Sequence, residues 1–409
     1  MTIENNILGQ VSLGYSPMID RNRAVMATRL TISPLRLDVH LDCHQLLQAI
    51  GAVWPAGGSL LSINLSNETA LATMMQSALS TNLMLEIPAF MATDSHFVEP
   101  ILKLHQQGNT LLIKGRPRLE LARELLPCFK YSVIDLVDER RLGESEDDPA
   151  THPAAAMRSI AFVQAGVVSQ EQMHDSFKRG AVAVLGWPMQ DILQLSEQIQ
   201  QAVAPALQVI IELISHVDNA APIEKLEDTL KRDPTLAFKL MRSLNSAAMG
   251  LAVEITSIRH AIMMLGYARL KKWLALLLTT ASQDPDMKPV MFAAVRRGLI
   301  MEELGASLGE SGPDTAMKDE LFICGMFSLL DSLLQMPIGQ LLDSIPVADR
   351  VRHCLVDHCG PHHGYLELTQ AIEQGNWFDI RAGAEALMLG MTEVNHALLR
   401  ALDKALQLE

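Results

Sequence analysis

Two rhythms of hydrophobic and polar positions divide this chain. In the first half, short apolar or alternating runs recur: QVSLGYSPMI (10–19), VMATRLTI (25–32), LLSINLS (60–66), LMLEIPAF (83–90), NTLLIKG (109–115), YSVIDL (131–136), RSIAFVQAG (158–166) and AVAVLGWP (181–188). Each has the length and pattern of a strand. Helix-forming stretches such as NETALATMMQSAL (67–79) and SHFVEPILKLHQQG (95–108) separate most of them. Strands alternating with helices predict parallel βαβ units, and eight strands predict a (β/α) barrel.

The rhythm changes near residue 190. QDILQLSEQIQQAVAPALQVIIELI (190–214) is helical, and only helical spacing follows it to Glu409. Ile223, Leu226 and Leu230 share one face. Asp233 and Pro234 open the next helix, and Ala237, Leu240, Met241 and Leu244 give its apolar stripe. Ile258, Ala261, Ile262 and Leu265 make another stripe. Beyond Gly266 it resumes as Leu270, Trp273, Leu274 and Leu277, so Gly266 predicts a helix end and a new start. Trp273 is expected in the core. The pattern predicts a multidomain chain, an α/β barrel over 1–198 and an all-α domain over 199–409, with the boundary region at about 190–205.

Composition narrows the function. The chain has 409 residues, 47 acidic against 33 basic, for a net charge of -14. Nucleic-acid affinity rests on clustered Lys and Arg, so no nucleic-acid partner is expected. MTIENN lacks a signal-peptide pattern, and no apolar run reaches the ~18 residues of a membrane span. Five scattered cysteines make no disulfide framework. These features predict a cytoplasmic protein.

RDPTLAFKLMRSLNSAAMG with EITSIRHAIMMLGYARLKKWLALLL resembles the HDOD domain. The motif positions are Asp233, Pro234, Asn245, Ser246, Gly250, Ser257, Leu265 and Gly266. The resemblance covers roughly 200–390. It implies a helical fold related to HD phosphohydrolases without their metal centre. Ser328 and Leu329 stand where those enzymes carry His-Asp. AAVRRGLIMEEL, in place of the helix with the first His, contains none.

The first half resembles an EAL domain, the cyclic di-GMP phosphodiesterase barrel. INLS, LMLEIPAF, NTLLIKG, SVIDL, AGVVSQEQ and VLGWP follow the order of its strand-end motifs. That enzyme holds two divalent cations on carboxylates and places a Lys beside the attacking water. Residue by residue, the family's naming Glu falls at Arg29. Asn64, Glu86 and Asp135 are kept. Ala89 replaces the next Glu, Lys114 and Gly115 replace an Asp-Asp pair, and Val133 replaces the Lys. Ala165 and Val168 replace two late Glu residues. Hard dications need several anionic oxygens, and two added cations repel them. Arg29 and Lys114 are expected to form internal salt bridges instead. The Gln-Pro ligand contact becomes Ser16-Pro17.

RHCLVDHCGPHHG (352–364) concentrates four histidines and two cysteines. Its spacing does not fit a structural zinc site. A solvated loop that takes up metal adventitiously is expected.

The resemblance thus implies a catalytically inactive signal-transduction protein with degenerate EAL and HDOD domains. It would act through protein–protein contact with other signalling proteins. No catalytic residue, metal or cofactor is assigned, and homo-oligomerisation stays open. The alternative is an effector that binds cyclic di-GMP without hydrolysis. A third reading, an active phosphodiesterase, is opposed by Arg29, Lys114 and Val133.

Overall fold

A computed structural model describes residues 6–36, 41–54, 57–117, 119–137, 160–191, 205–232, 236, 240, 257–279, 285–307, 315–334, 336–344 and 347–406. The chain forms two compact units. One comprises Met1–Asp191 with Glu367–Glu409, the other Ile192–Leu366.

The first unit is built on a closed barrel in chain order: β1 (Val11–Asp20), β2 (Val25–Pro34), β3 (Leu60–Leu65), β4 (Leu83–Pro88), β5 (Thr110–Lys114), β6 (Phe129–Asp135), β7 (Ala161–Val167) and β8 (Ala183–Gly186). All eight predicted runs are strands. The predicted parallel units hold from β2 to β8, and β1 is the exception, antiparallel to both β2 and β8. Residues 21–24 alone join β1 to β2. A connection that short makes a hairpin, whereas a parallel crossover needs a dozen or more residues.

Alternate strand positions fill the barrel interior. Met18, Ala27, Met84, Leu112, Val133, Val163, Ala165, Ala183 and Leu185 form one buried cluster. Helices α1 (Cys43–Gly51), α2 (Glu68–Met74), α3 (Ala89–Ala92), α4 (Val98–Gln106) and α5 (Gln170–Lys178) connect the strands. Their starts follow from local chemistry: Asp42, Asn67 and Ser169 each accept hydrogen bonds from first-turn N–H groups of α1, α2 and α5. On the outside, Met173 of α5 packs with Ile19, Val167 and Val184.

The second unit contains α6 (Pro205–Asp218), α7 (Ile223–Lys231), α8 (Ile258–Thr279), α9 (Lys288–Ala306), α10 (Thr315–Phe327), α11 (Leu330–Leu334), α12 (Ile338–Ser344) and α13 (Asp349–Leu355). Ser257 caps α8 by accepting the His260 N–H at 3.1 Å. Gly266 breaks α8 with φ 69° and ψ 167°, at the predicted interruption. Its glycine is required there, since L side chains rarely adopt that φ. Asp233, Pro234, Asn245, Ser246 and Gly250 lie outside the described residues.

Trp273 is half-buried, which corrects the predicted core position. Leu270 and Leu274 of the predicted stripe are fully buried, and Ala275 is buried beside them where Trp273 was expected. Helices α9 and α10 cross at two glycines. A Cβ on Gly325 would lie 2.6 Å from the Arg297 carbonyl carbon and 2.7 Å from the Gly298 nitrogen.

The last three helices are α14 (His363–Gln374), α15 (Trp377–Ala386) and α16 (Met391–Leu406). They continue the predicted helical character. Residues 367–409 nevertheless cluster with the barrel, whereas the sequence division placed them with the helical segment. Amphipathic spacing identifies a helix but not the body on which it packs. No described helix is long and apolar enough to cross a membrane.

Candidate functional site

Parity along the strands assembles a polar group at the carboxyl ends of the barrel. Ala27 of β2 and Met84 of β4 belong to the interior cluster, so Arg29 and Glu86, two residues further on, face inward above it. Arg29 Nε donates to Glu86 Oε1 at 2.8 Å, and Nη2 donates to Oε2 at 2.5 Å. Ser62 Oγ donates to Glu86 Oε1 at 3.0 Å. The Glu86 carboxylate is fully buried and Arg29 is 15% exposed. Such a two-pronged contact suits a planar guanidinium and is geometrically specific.

Lys114, at the end of β5, donates to Asn64 Oδ1 at 2.8 Å. Asn64 Nδ2 in turn donates to Thr31 Oγ1 at 3.3 Å. The expected salt bridge therefore forms for Arg29, while Lys114 bonds an amide oxygen. Burial, joined by the nearby Arg29 charge, pulls the Lys114 ammonium below its ordinary range, and Glu86 and Asp135 oppose that shift. Two cations thus stand among two carboxylates, and their formal charges cancel.

The other positions are apolar or turned to backbone. Val133 and Ala165 belong to the buried interior cluster. Ala89 is buried at the start of α3. Gly115 has φ +84°. The N–H of Val168 donates to Gln172 Oε1 at 3.0 Å. Asp135 Oδ1 accepts the Val137 N–H at 2.8 Å. A Cβ on Gly166, at φ +76°, would lie 3.1 Å from that same oxygen. Sequence reasoning missed Ser62 and Thr31. The period-two spacing of 62 with 64 and of 29 with 31 is the signal that finds them.

In the helical unit, Ser328 and Leu329 occupy the turn between α10 and α11. Arg297 of α9 donates from Nη1 to Ser328 Oγ at 3.1 Å, and Ser328 Oγ donates to the Gly325 carbonyl at 2.7 Å. Burial holds the Asp331 carboxyl above the usual carboxylate range, partly offset by bonds to Ser332 and the Arg297 charge. Arg297 and Asp331 were not predicted from sequence. Among the described residues, no three His, Cys, Asp or Glu side chains converge as metal ligands.

The HDOD family model matches residues 203–336. This stretch is an HDOD domain. With the eight-stranded barrel before it, the chain has the organisation of an EAL–HDOD protein. A Vibrio cholerae protein named cyclic di-GMP phosphodiesterase CdgJ is 24% identical over 312 residues, 76% of this chain and 69% of its own length. Bacillus subtilis YuxH, an uncharacterised protein, is 29% identical over 171 residues, 41% of this chain. That alignment spans only 40% of YuxH. Among solved structures, the Klebsiella pneumoniae BlrP1 calcium/cy-diGMP complex aligns with TM-score 0.32 and 14% identity, over 45% of this chain and 56% of that one. An HDOD domain protein of unknown function from Geobacter sulfurreducens aligns with TM-score 0.33 and 12% identity, over 53% and 98%.

Residues 352–364 lie beyond the HDOD match, and their expected description as a solvated loop needs correction. Helix α13 ends at Leu355, so His353 and His358 do not share one helix. Cys354 is fully buried, a free thiol beside that of Cys324. This contact, together with burial, pushes the Cys324 thiol far above its usual range. His362 is also fully buried, with Nε2 2.8 Å from Glu320 Oε2. Only His353, Asp357 and the stretch from His358 to Pro361 are exposed. Cys354 and His362 therefore serve packing inside the helical unit.

Proposed function

We propose that this chain is a catalytically silent member of a cyclic di-GMP signalling system, and that it acts by binding other proteins. One observation carries the reading: the guanidinium of Arg29 is fixed on Glu86 by two hydrogen bonds at the barrel mouth. Cation-assisted hydrolysis needs a metal to activate water and to neutralise phosphate charge. Here a side-chain cation occupies the carboxylate that would hold it. Val133, in the apolar interior, offers no ammonium at the position where the resembling enzymes carry a catalytic Lys. The name of the Vibrio relative supports the signalling context.

Contact with other proteins is supported by three exposed apolar side chains. Phe90, Leu119 and Val137 are 57%, 69% and 54% exposed, and they follow the ends of β4, β5 and β6. Large apolar groups left in water beside a barrel mouth suit a docking surface.

Incubation with cyclic di-GMP and Mn²⁺ tests this proposal. The purified protein is expected to linearise no more nucleotide than its Glu86→Ala variant. Turnover that depends on Glu86 contradicts silence. Tight binding of intact nucleotide without turnover would favour the effector reading instead.

A further inference from the structure

The barrel seam between β1 and β8 is short. Only Met18, Ile19 and Asp20 pair with β8, while β1 pairs with β2 along nearly its whole length. In an antiparallel ladder, alternate residues direct both backbone groups to the same side. Ile19 faces β8, so Pro17, Tyr15, Leu13 and Val11 direct theirs to an edge beyond the end of β8. Pro17 has no N–H to lose there.

One side chain from the far end of the chain supplies much of what β8 does not. Asn395 of α16 is fully buried. Its Oδ1 accepts the Leu13 N–H at 3.1 Å. Its Nδ2 donates to the carbonyls of Val11 at 2.8 Å and Leu8 at 2.7 Å. The amide thus imitates a peptide unit of a neighbouring strand. Next to it, Trp187 Nε1 donates to the Glu373 carbonyl at 3.0 Å, and the Trp187 ring meets Tyr15 edge-on at 5.3 Å.

The same segment reaches the rim of the mouth. Gly14 shares the strand phase of Met18, which points into the barrel. A Cβ on Gly14 would lie 2.6 Å from the Gly375 Cα and 3.0 Å from the Ile372 carbonyl oxygen. Backbone from the end of α14 therefore rests on the inner face of β1, opposite Thr31 and two residues from Ser16.

We propose that residues 367–409 are a latch that seals the open edge of β1 and covers its side of the barrel mouth. The chain leaves the barrel unit after Asp191 and re-enters it at Glu367. Asp191 is itself held, because its carboxylate accepts the Gln170 and Glu171 N–H groups at 2.9 and 3.0 Å. The segment that returns to the barrel unit is the latch. That strand edge is exposed whenever the latch opens.

Hydrogen exchange on the full chain, read by mass spectrometry, tests the latch. Asn395→Ala is expected to accelerate exchange about tenfold or more in residues 8–17 and 391–406, as local opening does. Residues 83–135 and 288–327 should be unchanged. Unaltered exchange in 8–17, or a uniform rise across the barrel, overturns the proposal. If that variant does not fold, Trp187→Phe removes one latch bond, and it should accelerate exchange in 8–17 and 367–386 alone. Unchanged exchange in those two segments would also overturn it.

Discussion

Arg29→Ala should destabilise the barrel by about 3–5 kcal/mol, the usual cost of stranding one partner of a buried ion pair. Glu86 is fully buried, and its remaining described side-chain donor is Ser62 Oγ. One hydroxyl does not balance a carboxylate that has lost two guanidinium bonds. Adding Glu86→Ala to the variant removes the stranded charge and should restore part of the loss. Denaturant titration of the wild type, both single variants and the double variant closes the cycle. An Arg29→Ala cost under about 1 kcal/mol, typical of an exposed pair, would mean that the contact holds nothing together.

The second large effect separates two neighbouring residues in the HDOD domain. Leu274→Ala should cost about 2–5 kcal/mol, since Leu274 is fully buried and the change leaves a cavity. Trp273→Ala should cost clearly less, because half-buried Trp273 already meets solvent. Thermal or denaturant unfolding of the two variants decides the helical phase after Gly266. Equal losses, or the reverse order, would place Trp273 inward.

These residues show what the sequence makes legible. Strand existence is local, and short apolar or alternating runs marked all eight barrel strands. Strand direction is not local. It follows from the length of the connection, and only the four residues between Asp20 and Val25 reveal the antiparallel β1. Arg29 was legible as a charge reversal. Its partner was not, because the meeting of Arg29 with Glu86 depends on the register of β2 with β3 and of β3 with β4. A glycine break announces a new helix, but how far its buried face extends depends on its neighbours, which is why Trp273 was misplaced beside the correctly placed Leu270 and Leu274. Asn395 and Leu13 are 382 positions apart. Nothing in the periodicity of either segment encodes their pairing. The histidines of 352–364 show the same limit: buried His362 meets Glu320, a residue 42 positions earlier.

Under the proposed function, side-chain cations stand in place of metal at the barrel mouth. Electron paramagnetic resonance of Mn²⁺ titrated into the protein tests it directly. The free-ion signal should fall no further with the wild type than with Glu86→Ala, since no vacant carboxylate cage awaits the ion. Stoichiometric loss of the free signal with the wild type, abolished by Glu86→Ala, would contradict the account.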